Sequence, residues 1–257
     1  MFRGVSCCFV VSAFFLLFAL NIAAQTNLTS LAQALAGGET EAKRAALFDI
    51  RNLRSAEASR IALPALQDKA EIVRATAAGS VIFLAKNEAA QALLPLLADK
   101  SEMVRREAAY ALGEMGDASA ATALITLLQK DKIIEVKGAA AVALGMIGDP
   151  SAVETLVKVL QTSPNDDNEF LRRAAARSIG QIAEPAPDKT FFKTTVPLLI
   201  KTLQNSKEAD DTRREAAYAL GAIGDVSAIG VLEESAKSED PYLAESSKTA
   251  LVRIRKQ

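Results

Sequence analysis

One pattern of apolar residues, met seven times, constrains this chain more than any other feature. Val104, Ala108, Ala111, Leu112 and Met115 stand at offsets 0, 4, 7, 8 and 11, one apolar stripe along a helix. Gly116 supplies a left-handed residue to end that helix, and Asp117 caps the next. The second helix repeats the stripe with Ala120, Leu124, Leu127 and Leu128, so 104–129 reads as a helix hairpin with a shared apolar seam. Full copies start at Val73, Val136, Leu171 and Thr212, and degraded ones at Ala42 and Leu243. Successive starts lie 31, 31, 32, 35, 41 and 31 residues apart. A single hairpin cannot bury its seam alone, so a period of this length predicts stacking of each hairpin on the next.

The segments VRREAAYALGEMGD, VKGAAAVALGMIGDPSA and TRREAAYALGAIGDVSA resemble HEAT repeats of the short, phycobilisome-lyase-like class. The resemblance covers about residues 40–257 and implies an all-α solenoid, a right-handed superhelix of stacked antiparallel hairpins. Repeats are expected at about 42–72, 73–103, 104–135, 136–170, 171–211 and 212–242, with a cap at 243–257. Residues 25–39 are a polar lead-in: a short helix over 30–36 is expected, broken by Gly37-Gly38, and Asn27-Leu28-Thr29 forms a glycosylation sequon. Pro64, Pro95 and Pro197 recur at one phase of the second helices, where a first turn loses no amide bond.

The first residues form a separate segment. A short basic start is followed by an uncharged apolar run, Val5 to Leu20, and by NIAAQ. This predicts a secretory signal peptide over 1–24, cleaved after Ala24, and a secreted or periplasmic protein. The alternative is an uncleaved anchor, since Val5 to Ala24 approaches the ~20 residues a membrane helix needs. No membrane association is expected otherwise. Cys7 and Cys8 fall in this segment, so the chain beyond it has no Cys and no disulfide.

Composition narrows the chemistry. The formal charge is −1, or −2 once Arg3 is removed, which disfavours nucleic acid as a partner. There is no His in the chain, which removes His-ligated metal sites, His general bases and Ser-His-Asp triads. HEAT-type hydroxylases hold iron with His and Glu ligands, so a chain without His is expected not to be one of them. The expectation is a non-catalytic scaffold without cofactor that binds another protein. Two alternatives stand beside it: a bilin-lyase-like or other enzyme-accessory role, and an envelope protein that binds peptide or carbohydrate and has an acidic, cation-binding edge.

In the repeats this chain resembles, the first helix of each unit lines the concave face, and offsets 2, 3, 6 and 10 meet the partner. Carried over, the candidate site is Arg106, Glu107, Tyr110 and Glu114; Val142 and Met146; Arg173, Arg177 and Gln181; and Arg214, Glu215 and Tyr218. Tyr and Arg are common interface anchors, although RREAAY is also good solvated helix sequence.

Three further features each admit two readings. Asp68, Asp99 and Asp131 precede Arg74, Arg105 and Lys137 by six residues each, and Arg172 and Arg213 continue the basic row. An Asp–Arg ladder pinning repeat to repeat is the structural reading, a ligand-binding row of Arg the functional one. Asp166, Asp167, Glu169, Glu208, Asp210 and Asp211 lie in two long corners and would form one acidic patch, either solvated or holding Ca²⁺. The insertion AEPAPDKT, 183–190, replaces a Gly-Asp turn and reads as a tucked loop or as a lip beside the binding surface.

Overall fold

The computed structural model describes residues 27–256, and the expected export segment 1–24 lies outside them. No strand occurs among the described residues, and none of their helices is long and apolar enough to cross a membrane. The chain divides into two compact units between Leu84 and Ala85.

The first unit holds a helix over 27–37 (α1), α2 (Thr40–Leu53), α3 (Ala56–Ala62) and α4 (Glu71–Ser80). α3 runs into a 3₁₀ turn, Leu63–Gln67, with Pro64 at its start. α2 packs on α4, and the buried Ser80 hydroxyl donates to the Leu47 carbonyl across that contact, 2.9 Å.

The second unit holds α5 (Lys86–Leu93), α6 (Glu102–Met115), α7 (Ala121–Lys130), α8 (Ile134–Ile147), α9 (Val153–Gln161), α10 (Glu169–Ala183), α11 (Val196–Gln204), α12 (Asp210–Ile223), α13 (Ile229–Ser235) and α14 (Pro241–Lys256). Pro95 opens the 3₁₀ turn after α5, and Pro197 lies in the first turn of α11. The even-numbered helices from α6 to α14 pack side by side in one layer; α7, α9, α11 and α13 form a second. The expected stripe forms the seam between the layers, where Leu112, Leu144, Ile179 and Leu220 are fully buried. Truncating any one of them to Ala is worth about 2–5 kcal/mol.

The hairpin turns follow local chemistry. Gly116, Gly148 and Gly224 have φ of 61°, 78° and 80°, a left-handed conformation only Gly adopts cheaply. Asp117, Asp149 and Asp225 then accept from the amides of Ser119, Ser151 and Ser227 at 2.8–3.0 Å.

A second glycine row sets how closely the first helices approach. Gly113, Gly145, Gly180 and Gly221 each stand nine residues into their repeat, against Ala143, Ser178, Ala219 and Ala250, which stand seven residues into the next. A Cβ on Gly113 would lie 2.6 Å from the Ala143 Cα, and one on Gly221 2.7 Å from the Ala250 Cα. The layer is packed backbone to backbone, leaving no room for a methyl group.

The corner ladder exists but is wired differently from the sequence expectation. Arg105 donates to the carbonyls of Asp99 (2.9 Å) and Lys100 (3.4 Å) in the preceding corner, and its carboxylate partner is Asp131, at 2.6 and 3.1 Å. Arg74 likewise donates to the Asp68 carbonyl, 2.8 Å, while the Asp68 carboxylate takes Lys43, 2.6 Å. The six-residue spacing therefore brings cation to backbone carbonyl. The Asp68, Asp99 and Asp131 side chains fold onto the amide two residues ahead, and Asp68 and Asp131 also meet a cation from the start of their own hairpins. Arg172 extends the scheme with Glu208 in place of an Asp. Arg213 donates to the Leu203 carbonyl, 3.0 Å, and to Asp210, 2.8 Å. The Lys137 side chain makes no hydrogen bond or ion pair among the described residues, so it is no rung.

These contacts make stability acid-sensitive. The Lys43 hydrogen bond and the Ala70 amide hold the Asp68 carboxyl below its ordinary 3.8. Burial pushes the Asp131 carboxyl up, but Arg105 and the Ile133 amide outweigh it and the net direction is down. A carboxyl depressed on folding stabilises above its unfolded pKa, and that contribution is lost as pH falls through the still lower folded value. The unfolding free energy should hold steady above pH ~5 and decline below pH ~4, and Asp68→Asn with Asp131→Asn should flatten that decline in urea titrations across pH.

The six acids split: Asp166, Asp167 and Glu169 are exposed, while the other three are paired. Glu208 is buried on Arg172, Asp210 is paired with Arg213, and Asp211 is taken by Arg173 and Arg214. No group of three or more metal-binding side chains occurs among the described residues.

Candidate functional site: a groove across three helices

A groove of about 670 Å³ opens on the layer of first helices. α10 contributes Phe170, Arg173, Ala174 and Arg177; α12 contributes Asp211, Arg214, Glu215 and Tyr218; α14 contributes Tyr242, Glu245 and Ser246; Val142 of α8 completes it. Six of the twelve expected residues meet here: Val142, Arg173, Arg177, Arg214, Glu215 and Tyr218. The other six lie outside this lining. Arg106 and Glu107 pair with each other at 3.3 Å on α6, beside Tyr110 and Glu114. Met146, on α8, is exposed, and Gln181 lies beside Gly145.

Charge in the groove is arranged between helices. Arg173 reaches Asp211 at 2.7 Å, and Arg177 reaches Glu215 at 3.0 Å. Arg214 closes on the other oxygen of Asp211. Rings back the cations: the Arg173 guanidinium lies 5.5 Å from the Phe170 centroid and that of Arg214 5.2 Å from Tyr242. Phe170 itself lies over Gly138, where a Cβ would come within 2.4 Å of the ring. At the rim, the Tyr218 hydroxyl donates to Glu184, 2.7 Å, which also takes Arg253 at 3.0 Å. Burial, then the Glu184 hydrogen bond, pushes the Tyr218 phenol up to about 12, so it stays a donor at neutral pH.

The insertion after α10 is tied to the neighbouring helices at both ends. Phe192 is buried and meets Phe191 edge-on at 5.4 Å, and Lys189 donates to the Ala222 carbonyl, 2.5 Å. Glu184, within the insertion, joins it to the groove rim through Tyr218.

The profile of HEAT repeats matches residues 90–168 and 165–251. The chain belongs to the HEAT-repeat family. Among solved structures, the phycocyanin lyase CpcE–CpcF complex of Nostoc sp. PCC7120 aligns over 88% of this chain and 91% of that chain, with TM-score 0.54 and 23% identity. A mutant of the karyopherin Kap121p aligns over 84% of this chain and 25% of its own, with TM-score 0.67 and 17% identity. Both similarities concern the α-solenoid fold. By sequence, the HEAT-repeat chain is 33% identical over 91 residues to deoxyhypusine hydroxylase of Drosophila pseudoobscura pseudoobscura, which is 35% of this chain and 28% of that protein. It is 38% identical over 79 residues to that of Candida albicans, 31% and 22%. The matches thus span about a quarter of these relatives.

Those relatives are enzymes, and they overturn the expectation of a non-catalytic scaffold. The missing His carries much of that expectation, and it excludes His-dependent chemistry alone. That set still does not fit here: the chain has no His, and its described carboxylates form no metal-binding group. No reaction step through a His-ligated iron is derived from these residues.

Proposed function

We propose that this HEAT-repeat chain works in protein modification, as the part of an enzyme that receives a segment of another polypeptide and holds it for reaction. The observation that carries the reading is the groove over α10, α12 and α14. It crosses three helices, and helices packed ~8–10 Å apart give it room for about five or six extended residues. Apolar floor, aromatic rings and cross-helix charges offer a peptide both burial and direction. The relatives named deoxyhypusine hydroxylase support the enzymatic setting. What these residues do is bind and orient: Tyr218 presents a fixed hydroxyl, and the Arg–carboxylate pairs are already in place before a ligand arrives.

The test is a displayed library of short random peptides, panned against the purified chain and re-screened against Ser246→Trp. Ser246 is half-buried at the groove wall, so the indole fills the groove without entering the core. Selected peptides should lose at least about tenfold in affinity on the variant. Peptides that bind both proteins equally would place the working surface elsewhere.

A further inference from the structure

The centre of the groove holds more cationic donors than it uses. Arg173 and Arg214 close on the two oxygens of a single carboxylate, Asp211. Each guanidinium has five N–H donors, and neither makes any other hydrogen bond or ion pair among the described residues. Phe170 and Tyr242 lie against the two guanidinium groups and bound the space between them. The neighbouring acids are accounted for differently: Glu215 is taken by Arg177, whereas the Glu245 carboxylate of α14 makes no hydrogen bond or ion pair among the described residues. Arg173, Arg214 and Glu245 occupy the same position in three successive helices, two residues into each repeat. Along the stack this row reads plus, plus, minus.

We propose that the pair Arg173–Arg214 is a subsite for an Asp or Glu side chain of the bound polypeptide, with a Lys or Arg of the same segment reaching Glu245. Adjacent helices ~8–10 Å apart put that basic residue about three extended residues from the acidic one. The inference rests on the groove being a polypeptide site. Asp211 acts here as an internal placeholder: it keeps two guanidiniums side by side and competes with the incoming carboxylate. Unused Arg donors favour a carboxylate over a neutral amide because charge-assisted, bidentate bonds are the stronger ones.

The same library of random peptides tests it, panned in parallel on the wild-type chain and on Arg173→Gln/Arg214→Gln. Both side chains are partly exposed, and unchanged circular dichroism checks the fold. The wild type should enrich Asp or Glu with Lys or Arg about three residues away, and the double variant should not. In anisotropy titrations, changing the acidic residue to Gln should weaken an enriched peptide at least about tenfold on the wild type and leave the double variant indifferent. Asp211→Asn should tighten the acidic peptide, which a purely structural ion pair would not do. Enriched peptides that lack an acid, yet lose binding to Ser246→Trp, would overturn the subsite and leave the groove standing. Failure to recover any peptide sensitive to Ser246→Trp would overturn both.

Discussion

Replacing Arg172 with Met should lower the unfolding free energy by about 3–5 kcal/mol. Arg172 is 2% exposed and Glu208 6%, so both charges are out of water. The Arg172 Nε donates to Glu208 Oε2 at 3.1 Å while Nη2 closes on Oε1. Nη1 donates to the carbonyls of Val159 (3.1 Å) and Leu160 (3.2 Å), at the end of α9, and to that of Thr162. One guanidinium therefore neutralises a buried acid and satisfies the last carbonyls of a helix. Met fills similar volume but leaves Glu208 without a cation and those carbonyls without a donor. The paired change Arg172→Met/Glu208→Gln should recover much of the loss, because the cost of breaking a buried pair is mostly the stranded charge. Urea unfolding of the four proteins closes the cycle. A single Arg172→Met that costs under ~1 kcal/mol would show that this corner does not hold the two repeats together.

Gly221→Val should also be severe, by about 3 kcal/mol, and Gly221→Ala should be milder but still destabilising. Two effects oppose each other in the Ala variant. Ala is the better helix former by about 1 kcal/mol. Against that, its Cβ would sit 2.7 Å from both the Ala250 Cα and Cβ, and backbone cannot rotate away. Overpacking of a tight contact costs about 1–3 kcal/mol, so it wins. Gly230 is the control, since a Cβ there meets nothing within 4 Å. Gly230→Ala should stabilise by up to ~1 kcal/mol. Opposite signs in thermal unfolding identify the row of Gly113, Gly145, Gly180 and Gly221 as the determinant of helix spacing; equal signs would remove that role.

The parts of this fold that are legible in sequence are the locally determined ones. Gly116-Asp117, Gly148-Asp149 and Gly224-Asp225 each specify a turn by their own conformational and capping chemistry, and each forms as read. The row of close-packed glycines was visible at a constant offset, but its meaning depends on what the next helix brings opposite. The corner ladder failed in register for the same reason. Asp99 and Arg105 are near in sequence, yet the Asp folds forward onto the Ser101 amide, and the Arg finds its carboxylate a whole hairpin later. Half of the groove was legible from the helical offsets. Glu245, Ser246 and Arg253 stand at those same offsets in the last repeat, which loses the RREAAY consensus and so reads as a mere cap. Phe170, Asp211 and Tyr242 precede the apolar stripe by one residue, in the first helical turn, where side chains reach back over the groove. The likeness to hydroxylases is set aside in the sequence because the expected His ligands are missing, whereas the shared stretches are repeat sequence and carry no reactive side chain.

Amide hydrogen exchange of the full chain, with and without a library-selected peptide, tests the central claim most directly. Peptide binding should slow exchange in the helical segments 170–178, 211–219 and 242–247 alone, with 86–130 unchanged. Protection centred on the insertion 183–192, or on 104–115, with those three segments unaffected, would contradict it.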